Sequence, residues 1–243
     1  MIDTPPSTTT AAFLRGVTAT HPGDGDADLS WLRSVAHRIQ DAPGTFLSWL
    51  EEILDDEEAV RAAAKRSYWH PNGFAKMVLH ASAEFRIRLH VWPESAEPSR
   101  GESNPHSHRW EFASTIIAGE GLHMAEFRET TEGGKAHDRY RYGADPANPA
   151  ALLADGEARL EVENTPSVRR GDVYSCDTAI VHTVRPIDAG LTATVVIQGP
   201  HRTSTTVVYC EPGQTDDQPN GELTETDFRL LVGSVAKAVA SCR

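Results

Sequence analysis

The chain has 243 residues, 39% of them hydrophobic, and a formal net charge of −12. That much acid argues against nucleic acid or an anionic membrane as partner. No stretch approaches the roughly 20 apolar residues of a transmembrane helix. The N-terminus lacks the basic start and apolar core of a signal peptide, so the expected location is the cytoplasm. Cys176, Cys210 and Cys242 are far apart and form no CxxC, which argues against a disulfide framework.

Residues 1–27 are rich in Thr, Pro, Gly and Asp and are expected to form a flexible arm, with Phe13, Leu14 and Val17 able to dock locally. Residues 28–69 read as a helical layer. Asp28 or Ser30 caps a first helix, whose apolar stripe is Leu29, Leu32, Val35, Ala36 and Ile39. Pro43-Gly44 breaks it. Phe46, Leu47, Leu50, Ile53 and Leu54 mark a second helix. Acid at Asp55 to Glu58 suits the first turn of a third.

From His70 the period changes, and 70–210 reads as a β-barrel. Phe74 to His80 is an expected strand. Phe85 to Trp92 alternates strictly: Phe85, Ile87, Leu89 and Val91 share one face, Arg86, Arg88, His90 and Trp92 the other. Phe112 to Ala118 is an apolar run, Gly119-Glu120-Gly121 a turn, and Leu122 to Phe127 a returning strand. Thr130 to Ala150 reads as a long loop holding one possible strand, His137 to Tyr142. Ala179 to Val184 and Leu191 to Gln198 read as a strand pair turned at Asp188-Ala189-Gly190. Residues 211–243 form a linker and a final helix capped by Thr224. Short strands bounded by Gly and Pro turns argue a mainly β fold, a barrel or jelly roll with helices at both ends.

The chemistry concentrates at His106-Ser107-His108. On a strand these two imidazoles share a face, and two neutral imidazoles make half of a transition-metal site. Downstream, Gly171-Asp172 is followed by a lone His182. A single His-x-His is more often a solvated or core pair; with His182 in place the metal reading becomes the better one.

With those residues in hand, the span from Asp28 to Gln198 resembles the cupin superfamily, and within it the thiol dioxygenases of the cysteine dioxygenase type. The resemblance rests on the helical layer, Phe74 and Lys76 two apart on a strand, Phe85 to Trp92, His-x-His, an apolar strand, Gly, and a distant His. It implies a cupin-type barrel and three His ligands, His106, His108 and His182, for Fe(II), with Zn2+, Ni2+ or Mn2+ as alternatives. O2 and a small anionic substrate, amino-acid-like or thiol-containing, would complete the centre. The implied pocket residues are Phe74, Lys76, His90 and Trp92, with Lys76 on the substrate carboxylate.

Departures from that family bear on the substrate. The usual cupin Glu falls at Phe112 or Ala113. Glu111 has the wrong strand parity and reaches a metal only through a bulge. Ala113 stands where the family's crosslinked Cys would be, and Val196-Ile197-Gln198-Gly199 replaces its Ser-His-Tyr group. Free cysteine is therefore not the expected substrate. Arg88 either joins the pocket or belongs with Arg86 to a solvated face. Arg202 and His201 lie where a strand leaves the barrel; Arg202 is counted with the pocket. Trp110 reads as packing and Tyr174 as a lesser candidate. A non-redox metal-cupin isomerase or lyase, or a small-molecule-binding cupin, is the alternative function. The expected oligomeric state is monomer or homodimer.

Overall fold

The structure is a computed structural model and describes residues 8–21, 27–95, 102–143, 151–215 and 219–241. Helix α1 is Thr8–Thr18, α2 Leu29–Asp41, α3 Pro43–Asp55, α4 Glu57–Ala64 and α5 Glu225–Ala240. Strands β1 Tyr68–His70, β2 Phe74–Ala81, β3 Arg86–Trp92, β4 Glu102–His106 and β5 Trp110–Ala118 come first. Then follow β6 Gly121–Glu129, β7 Lys135–Tyr142, β8 Leu152–Asn164, β9 Ser167–Arg169 and β10 Val173–Cys176. The last are β11 Val181–Pro186, β12 Thr192–His201, β13 Thr206–Cys210 and β14 Gly221–Glu222.

The helices start where the sequence supplies acceptors. Asp28 Oδ1 accepts from Trp31 N at 2.8 Å and caps α2. Asp56 accepts from Glu58 N and Ala59 N and caps α4. The expected arm at 1–27 contains α1, whose Phe13 and Val17 are buried; Phe13 stacks on Trp49 of α3 at 4.5 Å.

Two seven-stranded antiparallel sheets form the jelly roll, with orders β10-β5-β12-β3-β2-β1-β14 and β11-β4-β13-β7-β8-β6-β9. A further β11–β6 pairing returns the second ladder on itself. Alternation on the first sheet builds two cores. Ala75, Met77, Ile87, Leu89, Val91, Val195 and Ile197 face outward and are buried with Leu32, Val35, Phe46, Leu50, Phe228 and Val232 of the helices. Phe74, Trp92, Phe112, Ile116 and Val196 face inward, against Leu122, Met124, Val168 and Val184 of the second sheet. Each such aliphatic or Phe side chain contributes roughly 1.5–3 kcal/mol on burial. The helical layer thus covers the back of one sheet and leaves the barrel end open to chemistry.

Three local expectations change. Leu122 to Phe127 does return, but β5 and β6 lie in opposite sheets, so the turn between them is a crossing and not a ladder hairpin. Gly119 and Gly121 make the crossing at φ 86° and 134°. A Cβ on Gly119 would stand 2.6 Å from Thr192 Oγ1, so only glycine fits. Similarly β11 and β12 belong to different sheets and do not pair. The stretch expected as a long loop after Thr130 holds the expected strand at His137 to Tyr142 as β7, and extends it into a long ladder with β8, across which Arg139 and Arg141 both reach Asp155 at 3.0 Å. Among the described residues, no helix is long and apolar enough to cross a membrane.

Candidate metal centre

The two histidines of His106-Ser107-His108 do not share one strand. His106 ends β4 in the second sheet, and His108 lies in the connection to β5 in the first. Ser107 fixes that connection: its N donates to Val207 O at 3.0 Å, and its hydroxyl meets Thr206 Oγ1 at 2.7 Å. The rings still meet, with centroids 4.9 Å apart. His182, the second residue of β11, is in register with His106, which brings the third ring to 5.2 Å from His106 and 5.1 Å from His108. One ligand atom from each of the three lies within 4.8 Å of the others, and His182 is buried.

The donor set fits a divalent transition ion. His106 Nδ1 lies 2.9 Å from Asn104 O. A carbonyl only accepts, so Nδ1 carries the hydrogen and Nε2 is left with its lone pair. His108 Nε2 and His182 Nε2 are 3.4 Å apart. Metal–imidazole bonds of about 2.1 Å put neighbouring ligand atoms about 3.0–3.4 Å apart, so one ion can serve both. Three His ligands leave coordination positions for other groups.

Glu111 stands apart from this cluster. It points opposite to Trp110 and Phe112 on β5, and its Oε2 accepts from Arg202 Nε at 3.1 Å. Arg202 also donates to Ala27 O at 2.8 Å, on the helical side of the sheet. The structure therefore gathers Glu111 and Arg202 with each other and with the helical layer, and not with the three histidines. Parity explains Glu111. Arg202 follows a register shift between Gln198 and His201 that turns the end of β12.

The inner face of the first sheet collects the other named residues. Phe74 stacks on Trp92 at 4.7 Å and lies 5.8 Å from His90. Lys76 Nζ lies 5.2 Å from the Phe74 centroid. The Arg88 guanidinium lies 5.2 Å over Trp110. So Arg88 belongs to the inner face with His90 and Trp92. Phe112 links this wall to the cluster, 5.2 Å from His108 and 6.0 Å from His182. Tyr174 meets Phe112 edge-on at 6.0 Å. Trp110, expected as packing, is a junction: its ring lies 5.4 Å from His108 and stacks on His201 at 5.4 Å.

Sequence reasoning passed over several groups. Ser114 Oγ, Thr194 Oγ1 and Trp92 Nε1 are buried, and among the described residues none has a hydrogen-bond partner. Thr194 pairs in register with His90, and Ser114 with Val196, itself opposite Arg88, so all face the same interior. The alternation of Thr192, Thr194, Val196 and Gln198 carried that signal. Glu126 is in register with His182 across β6–β11, on the same face, and accepts from Asn164 Nδ2 at 3.2 Å. Only the ladder register reveals it. Cys176 and Cys210 are buried.

No family model matches the chain, and no curated protein matches it. Solved structures do match, and they include cupin and double-stranded β-helix proteins. An uncharacterised double-stranded β-helix protein from Klebsiella pneumoniae is 11% identical, covers 61% of this chain and 95% of its own, and has a TM-score of 0.33. A cupin domain from Bordetella pertussis is 14% identical, covers 54% and 96%, and scores 0.31. An 11S globulin from Wrightia tinctoria is 14% identical over 54% of this chain, scores 0.32, and is spanned over only 30% of its own length.

Proposed function

We propose that His106, His108 and His182 bind one divalent transition metal, Fe(II) first, and that the protein is a cupin-type oxygenase using O2 on a small anionic substrate, amino-acid-like or thiol-containing. The observation that carries this reading is the mutual approach of three imidazoles within 4.8 Å at a barrel mouth. A bound iron would supply the O2 chemistry on positions the three histidines leave free. The chain supplies the rest. Asn104 O holds the His106 tautomer. Phe112 packs against His108 and His182 and fixes their ring planes. Lys76 and Arg88 place positive charge on the inner face for a substrate carboxylate. Phe74 and Trp92 form an apolar wall that excludes water. Ser114, Thr194 and the Trp92 N–H add hydrogen-bonding groups that favour a polar substrate over a hydrocarbon.

The second reading keeps the site and drops the redox step: a Zn2+- or Ni2+-dependent isomerase or lyase using the metal as a Lewis acid. Metal analysis of the purified protein, followed by O2 consumption with a panel of thiols and amino acids, separates the two. Substrate-dependent O2 uptake that tracks iron content is the expected result. Zinc content with turnover and no O2 uptake selects the second reading.

A further inference from the structure

A recess of about 270 Å³ opens beside the cluster and contains none of the three histidines. Arg86, Gln198 and His201 line it, with Ser82 and Pro200 at its rim. Arg86 and Gln198 are register partners across β3–β12, so both side chains leave the sheet on one face. Gln198 pairs with Phe112 and His201 with Trp110 across β12–β5, which places the recess at the barrel end that holds the cluster. One indole meets both: Trp110 stacks on His201 at 5.4 Å and its ring lies 5.4 Å from His108.

The charge around this recess is one-sided. Arg86 and His201 line it, and Arg109 and Arg88 lie near enough to act on His201, in a chain whose net charge is −12. Among the described residues Arg86 forms no ion pair, and the Arg109 guanidinium lies over the Tyr142 ring at 5.5 Å. The nearby acids are occupied elsewhere. Glu111 pairs with Arg202 on the helical side, and Glu84 is engaged by Ser82 and its own backbone within the hairpin. Gln198 is 2% exposed, and its Oε1 has no hydrogen-bond partner among the described residues.

We propose that this recess is a binding site for the oxyanion group of a small molecule, a carboxylate or a phosphate, with Arg86 and His201 taking its charge. A guanidinium beside an imidazole N–H in one recess selects an anion. The His201 imidazole is held below its ordinary range by burial first and then by Arg109, Arg86 and Arg88. An anion between these groups relieves that repulsion and raises the imidazole again. The site does not depend on a metal at the histidines.

The test uses the full chain, both metal-loaded and stripped of metal and dialysed, titrated with inorganic phosphate and separately with acetate at constant ionic strength. Heat of binding and the His201 ring resonances are followed together. Saturable binding in the millimolar range or tighter is expected in both metal states, with His201 titrating at higher pH when the probe is bound. The ratio of phosphate to acetate affinity names the natural group. Arg86→Gln and His201→Gln should each weaken the favoured probe about tenfold or more, and Arg86→Lys should recover part of the loss. Both positions are exposed, and circular dichroism checks that the variants fold. No saturable binding of either probe overturns the proposal. So does binding that disappears when the metal is removed and ignores Arg86→Gln and His201→Gln, since the anion is then a metal ligand. If the parent holds no metal at all, the oxygenase reading fails while these titrations still decide the recess.

Discussion

His106, His108 and His182 meet although the third lies far along the chain, because β11 pairs with β4 and sets His182 opposite His106. Removing one imidazole from a three-ligand site leaves too few donors to hold an ion against water. His182→Ala should therefore lower metal content below about a tenth of the parent, with the far-ultraviolet dichroism unchanged. Full metal content in that variant would sink the three-His assignment. Glu111→Gln should behave in the opposite way. It breaks the pair with Arg202, a partly exposed contact, and should leave metal content intact while costing about 1 kcal/mol of stability at most. Lys76→Met and Arg88→Met test the inner-face cations. A lost charge-assisted hydrogen bond of about 1.5–3 kcal/mol raises KM by about 10- to 150-fold with metal content normal. Turnover equal to the parent in both variants would assign the substrate's charge elsewhere. At this scale the sequence was informative where one side chain carries its own chemistry. The His pair, the downstream His182 and the parity of Glu111 are all legible from residue type and spacing. Ser114, Thr194 and Gln198 look like ordinary strand residues until the ladder shows which face is interior.

At the scale of elements, caps and periodicity were the legible part. Thr224 was readable as a cap, and the structure completes the box: Asp227 N donates to Thr224 Oγ1, and Thr224 N to Asp227 Oδ2, both at 3.1 Å. Helix α5 packs Phe228, Val232 and Val235 into the outer core, so fraying its start loosens that layer. Thr224→Ala should cost about 1 kcal/mol and lower Tm by about 2–4 °C in a chain of this size, read by thermal denaturation. Sheet membership was not legible, because strands joined by short turns usually pair as hairpins, whereas here β5–β6 and β11–β12 cross between sheets. The second sheet also carries a pH-sensitive clasp between β13 and β6. Tyr209 Oη donates to Glu129 Oε1 at 2.6 Å. That bond first, and Arg139 next, hold the Glu129 carboxyl below the ordinary carboxylate range. A depressed carboxyl stabilises the fold above its unfolded-state value, near 4.3, and that contribution is lost as pH falls through the lower folded value. Tyr209→Phe should therefore be less stable than the parent at neutral pH, and the gap should close below about pH 4. A gap independent of pH would assign the loss to packing alone.

The whole molecule separates the work of folding from the work of binding. One core ties α1 to α5 against the outside of the first sheet, and the other fills the barrel between the sheets. The three histidines sit where the strands of the inner core end, one on β4, one on β11 and one on the connection into β5. An ion held there would tie the two sheets at a point where His108 belongs to the crossing itself. Since the unfolded chain keeps no such arrangement, metal binding counts wholly toward the folded state. At a free metal concentration about 100-fold above Kd the gain is about 2.7 kcal/mol. For a chain of this length each kcal/mol moves Tm by about 2–4 °C, so loading should raise Tm by about 5–11 °C. The shift should rise with metal concentration and vanish in His106→Ala and His182→Ala, which also separates the site from weak binding to surface carboxylates. The ion giving the largest shift per unit concentration need not be the working metal, since Cu2+ outranks iron at most nitrogen sites. The thermal shift therefore tests the site, and the O2-uptake measurement tests its use. Parent protein whose Tm does not respond to Fe(II), Zn2+, Ni2+ or Mn2+, and which retains no metal when purified, would leave the three imidazoles as a hydrogen-bonded barrel plug and return the function to small-molecule binding.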